Sequence, residues 1–259
     1  MLVLGPSGSG KTRHVLKPNL LQMNASYIVL DTKGTLCREV GPVLAAHGYH
    51  VQRLNLSDLN ALGESRDAGP AQRKNGGSGS AGADPAAVAS VGYDPLAHIR
   101  RDADGRPNQQ DIISIAKALC PIEDNNQPFW DHAASNLLAC LIAYTAETLP
   151  APEQHMGSVI SLVDHLSDGA TGKLLDELTT TRPDSLSCAL WRRYSITQAA
   201  ERMHASIVGI VAEKIMTLGI DSALRLYTHP RQVDFGAFSQ GRRALFVTIS
   251  DIDRSMDRL

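Results

Sequence analysis

Apolar and polar positions along this chain sort into two regimes. Short apolar runs closed by a polar residue lie at both ends: Leu2-Val3-Leu4, Ser26 to Leu30 before Asp31, His50 to Leu56, and Arg243 to Ile249 before Ser250-Asp251. Runs of this length predict strands buried on both faces, the kind a parallel sheet uses. Between them, Thr12 to Leu16 and Leu36 to His47 (closed by Gly48) predict helices. The resulting β–α–β–α–β order predicts a doubly wound parallel sheet, which binds ligands at the carboxyl ends of its strands.

In the middle of the chain the period changes to that of a helix. Asp111 to Leu119 is a short amphipathic segment, and Phe129 to Thr148 carries a stripe of Ala133, Leu137, Cys140, Leu141 and Tyr144. Ser158 to Leu166 and Thr171 to Leu178 predict two more helices. Ser187 to Leu218 predicts one long helix or two, with Ile207, Ile210, Val211 and Ile215 on one face. The domain organisation that follows is an α/β domain over residues 1–110 and 226–259, interrupted by an all-helical domain over 111–225. Within the first part, Arg73 to Gly82 has flexible-linker composition, so 61–90 is expected to be a surface insertion. Order is expected to resume at Tyr93-Asp94-Pro95-Leu96.

Composition narrows the function classes. Apolar residues make up 43% of the 259 and charged residues 20%, enough for a globular core. A net charge of −2 exerts no global pull on nucleic acid, so any such contact must come from local patches. The longest strongly apolar stretch, Leu137 to Tyr144, is too short to span a bilayer. Cys37, Cys120, Cys140 and Cys188 form no C-x-x-C pair and are expected to be buried thiols in a reducing compartment. His47 and His50 have no acidic or cysteine partner nearby, which argues against zinc there.

The candidate chemistry opens the chain. Gly5-Pro6-Ser7-Gly8-Ser9-Gly10-Lys11-Thr12 fits the phosphate-loop pattern G-x-x-x-x-G-K-[ST] at every defined position. Chance would produce this in about one chain in a hundred of this length. Glycines let successive N–H groups turn inward around phosphate oxygens, and the following helix adds its positive end. Lys11 would reach the β- and γ-phosphates, and the Thr12 hydroxyl would ligate Mg²⁺. The competing reading is a Gly/Ser-rich turn. Asp31, at a strand end, either makes an outer contact to Mg²⁺ or Lys11, or caps the next turn. Asp251 closes a strand in a loose Walker B pattern, and a direct catalytic role for it is the minority reading. Arg100-Arg101 and Trp191-Arg192-Arg193 are the compact basic clusters outside the insertion. Arg192 and Arg193 beside an aromatic suit single-stranded DNA; the competing reading is a solvated helix face with Trp191 in the core.

In order, these pieces resemble the coupling proteins of type IV secretion, the TraG/TraD-like conjugative DNA transfer family. The phosphate loop is followed by Leu16-Lys17-Pro18-Asn19-Leu20-Leu21. Ser26 to Leu36 is similar to the family's strand ending in Asp-Pro-Lys-Gly, with Thr32 in place of the proline. Tyr93 to Leu96 resembles its Tyr-Asn-Pro-Phe element, and Gln127-Pro128-Phe129-Trp130 with Asn136-Leu137-Leu138 its Asp-Pro-Phe-Trp helix start. Ala244 to Asp253 resembles its late strand, with Ser250 where a proline usually stands. The resemblance implies a RecA-like motor domain using ATP and Mg²⁺, an all-helical domain, and a hexameric ring at the cytoplasmic face of the membrane. It further implies delivery of single-stranded DNA or a relaxosome protein to a secretion channel. Family members carry transmembrane helices ahead of the loop and a Walker B strand beyond Ile249. The chain therefore reads as an internal fragment that binds nucleotide with little turnover. The rival reading is a soluble phosphate-loop kinase of a nucleotide or small metabolite.

Overall fold

The computed structural model describes residues 2–6, 8–57, 88, 90–123, 126–198 and 201–249. Apart from Val88 and Ser90, the 61–90 insertion lies outside the described residues. The described residues form two compact units, one within Met1–Tyr93 and His229–Met256, the other within Asp94–Thr228.

The first unit is α/β. A π-helical turn, Thr12–Leu16, runs into helix α1, Lys17–Leu21. Strand β1, Tyr27–Leu30, helix α2, Thr35–Ala46, strand β2, His50–Asn55, and strand β3, Arg243–Thr248, complete it. All pairings are parallel, in the order β1-β3-β2, with Val29 opposite Phe246 and Asn55 opposite Thr248. The last strand in sequence is thus the central one. Leu36, Cys37, Val40 and Leu44 of α2 pack with Leu20, Val29, Tyr49, Ala244 and Phe246 to form the core of this unit. Tyr27 stacks on Tyr49 at 5.9 Å, and the Tyr49 hydroxyl donates to the Ala25 carbonyl at 2.8 Å.

One expected strand does not form. Leu2 and Leu4 are 82% and 83% exposed and belong to no ladder among the described residues. A strand exists through its neighbour's hydrogen bonds, and three apolar residues before a glycine-rich loop find none here. The mixed α/β class with a parallel sheet stands; the sheet has three described strands, without one leading into the phosphate loop.

The second unit is helical: α3, Gln109–Leu119; α4, Pro128–Thr148; α5, Met156–Asp164; α6, Ala170–Thr181; α7, Leu186–Gln198; α8, Glu201–Ile215; and α9, Asp221–Tyr227. Helix α4 is buried around most of its circumference from Leu137 to Ala143, as expected for a central helix packed by α3, α5, α7 and α8. Asn108 caps α3 by accepting from the N–H groups of Gln110 and Asp111 at 3.0 and 3.1 Å. The Ser187 to Leu218 pattern resolves into two helices, α7 and α8. All four cysteines are buried, and none is in a disulfide. No helix among the described residues is long and apolar enough to cross a membrane.

Candidate nucleotide site

The segment Gly5 to Thr12 closes on itself through its own backbone. The Ser9 N–H donates to the Pro6 carbonyl at 3.3 Å, and the His14 N–H to the Gly10 carbonyl at 2.8 Å. Gly8 and Gly10 have φ of 78° and 80°, the left-handed region that side chains disfavour. At Gly10 a Cβ would also stand 2.5 Å from Cδ2 of the exposed His14, whose ring would have to swing aside. The residue types at these two positions therefore follow from the backbone path. Ser7 lies outside the described residues.

Lys11 folds back over this loop. Its Nζ donates to the carbonyls of Gly5 at 2.6 Å and Pro6 at 2.8 Å, which holds a positive charge at the concave side. Thr12, exposed, opens the helix with a π-type turn in which the Lys17 N–H bonds back to the Thr12 carbonyl. Such turns recur at functional sites. From Gly5 to Leu21 the chain carries Lys11, Arg13 and Lys17 and no carboxylate; Glu39 pairs with Lys17, so Lys11 and Arg13 supply the local positive charge that favours an anion. A depression of about 410 Å³, lined by Val3, Lys11, Thr12, Val15, Leu16 and Asn19, adjoins the loop. Left-handed glycines, a lysine held by loop carbonyls and an exposed hydroxyl at the helix start fit a polyphosphate with its Mg²⁺.

The remaining candidates are placed differently. Asp31 is buried, and its Oδ2 accepts the Cys37 N–H at 3.1 Å while its backbone oxygen accepts the Gly34 N–H at 3.1 Å. Its carboxylate thus caps α2, and it makes no ion pair with Lys11 among the described residues. Asp251 lies outside the described residues. Trp191 is 1% exposed, its ring 5.5 Å from that of Tyr194 and its Nε1 donating to Asp176 at 2.8 Å, so it offers no stacking face. Arg192 and Arg193 are exposed. The aromatic beside Arg193 is instead Phe129, which with His132, Asn136, Leu190 and Tyr194 lines a depression of about 220 Å³. The sequence flagged the neighbour in the chain, whereas the helix turn brings Arg193 against α4. Arg100 is engaged with Asp111 at 2.9 and 2.6 Å, and Arg101 with Gly105, Ala146 and Gln154.

Residues 1–64 match the model of the family described as Type IV secretory system Conjugative DNA transfer. No curated protein matches the chain. The matched stretch, about a quarter of the chain, contains the phosphate loop, α1, β1, α2 and β2, and over it the chain is similar to the conjugative DNA transfer proteins of type IV secretion.

Proposed function

We propose that this chain binds ATP with Mg²⁺ at Gly5–Thr12, as part of a motor that delivers DNA or protein substrate to a type IV secretion channel. The observation that carries the reading is the loop itself: two left-handed glycines and a lysine anchored on the loop's own carbonyls, inside a segment matched to a conjugative DNA transfer family. On binding, Lys11 exchanges the Gly5 and Pro6 carbonyls for phosphate oxygens, and Gly8 to Lys11 present backbone N–H groups to the same anion. Thr12 supplies a hydroxyl ligand to the metal. The bound nucleotide and metal contribute the transferable phosphoryl group and the neutralising charge. Asp31 shapes the turn into α2. No carboxylate among the described residues is paired with Lys11, and we expect binding to exceed hydrolysis. In the second unit, the exposed Arg192 and Arg193 beside Phe129 form the surface we assign to single-stranded DNA. Assembly into a hexameric ring at the membrane belongs to the same reading.

Calorimetric titration with ATP and with ADP, each with Mg²⁺, tests the site. Lys11→Ala is expected to weaken binding by at least about tenfold, the loss of a charge-assisted contact to phosphate. Equal affinity in wild type and Lys11→Ala would refute the assignment. Robust turnover abolished by Asp251→Ala would refute the low-hydrolysis part.

A further inference from the structure

At the carboxyl edge of the sheet, the face that packs on α2 turns from apolar to polar. Along β3, Ala244 and Phe246 sit in the core, and Thr248 is the next residue on that face. Along β2, Val51 packs against the same core, followed on its face by Arg53 and Asn55. Arg53 lies in register with Phe246, and Asn55 with Thr248. Thr248 is 3% exposed, and its buried Oγ1 has no hydrogen-bond partner. The Nε of Arg53 is likewise buried and unpartnered, and the guanidinium forms no ion pair among the described residues.

Both side chains converge on Gly34. A Cβ there would stand 3.5 Å from Arg53 Nη2 and 3.9 Å from Thr248 Oγ1. Gly34 precedes α2 with φ of 63° and gives the helix no side-chain cap. Asp31 satisfies the Cys37 N–H, the third of the helix, while the Thr35 and Leu36 N–H groups have no intrahelical acceptor. A guanidinium and a hydroxyl thus meet at a helix N-terminus where Asp31 takes only the Cys37 N–H, and neither Arg53 Nε nor Thr248 Oγ1 has an acceptor or donor there. A buried guanidinium N–H and a buried hydroxyl left without partners each cost stability, and an anion relieves both.

We propose that Arg53, Thr248 and the N-terminus of α2 form a second oxyanion site that takes a tetrahedral phosphate or sulfate group. The guanidinium fork offers two parallel N–H donors to such a group, and the α2 N-terminus adds backbone donors and partial positive charge. Its residues are distinct from Gly5–Thr12, and it stands whether or not that loop binds nucleotide. The group comes either from free phosphate or from a nucleotide.

The test titrates sulfate and inorganic phosphate, each alone, into the full chain while Arg53 Nε–H and the Thr35 to Cys37 amides are followed by ¹H–¹⁵N NMR. Saturable shifts at these groups are expected in wild type and in Lys11→Ala. Arg53→Gln is expected to weaken them about tenfold and Thr248→Val by less, the losses of a charged and a neutral donor. Arg53→Lys, which keeps the charge, is expected to retain part of the affinity and separates a lost site from a lost fold. An ADP arm distinguishes the sources: shifts at Thr35 to Cys37 that Lys11→Ala removes assign the group to a bound nucleotide. Shifts with phosphate alone that survive Lys11→Ala assign it to the free anion. Anion-induced shifts confined to Gly8–Thr12, or shifts at Thr35 to Cys37 that Arg53→Gln leaves unchanged, overturn the proposal.

Discussion

Asp94 stands at the start of the helical unit, 2% exposed, its Oδ1 accepting the N–H groups of Leu96 at 3.4 Å and Met156 at 3.0 Å. Burial pushes its carboxyl up from 3.8 to about 7, against the pull of those N–H donors, which favour the charged form. The folded chain therefore binds a proton at Asp94 that the unfolded chain releases between pH 3.8 and about 7. Stability from this group is greatest below that window and is lost as pH rises through it. Asp94→Asn keeps an acceptor oxygen and removes the charge. Urea unfolding from pH 5 to pH 8 is expected to show a falling stability in wild type, on the order of a few kcal/mol at most, and a flatter profile in Asp94→Asn. An identical slope in both would remove Asp94 as the cause. The same scale shows what a sequence discloses about a site. Gly8 and Gly10 were legible because the left-handed backbone at each calls for glycine. Asp31 was not, since a carboxylate at a strand end serves a metal or a helix cap equally well, and only the hydrogen bond to Cys37 distinguishes them.

Helices were legible where periodicity alone decides their faces, as in α3 and α8; β1, β2 and β3 were legible as apolar runs, but their order and pairing were not, because a strand's place depends on a partner distant in the chain. Leu2 to Leu4 has the apolar pattern of a strand and no ladder, while β3, near the far end of the sequence, fills the centre of the sheet. The polar edge at Arg53 and Thr248 is of the same kind: each looks like an ordinary strand residue until register sets them on one face. Capping shows the reverse case, in which one side chain governs an element. Glu147, near the end of α4, accepts the N–H groups of Leu186 and Ser187 at 3.0 and 3.1 Å and the Ser187 hydroxyl at 2.5 Å. It thereby satisfies the start of α7 from a helix elsewhere in the chain. Glu147→Ala is expected to cost about 1–2 kcal/mol in chemical denaturation, and Glu147→Gln less, because the amide oxygen still accepts. No change in either variant would mean that solvent satisfies those groups as well.

For the molecule as a whole, a net charge of −2 leaves any nucleic-acid affinity to local surfaces. Single-stranded DNA binding is expected to weaken as salt is raised, and the double variant Arg192→Gln, Arg193→Gln is expected to lower both the affinity and the salt slope. A variant that binds as tightly as wild type at every salt concentration would move the contact elsewhere. The division into an α/β unit and a helical unit has a spectroscopic consequence. Both tryptophans of the chain, Trp130 and Trp191, belong to the helical unit, whereas the stacked Tyr27 and Tyr49 belong to the α/β unit. Emission excited selectively at indole therefore follows the unfolding of the helical unit, while the change in tyrosine absorbance includes the α/β unit, so the two signals together show whether the units melt in one transition or two.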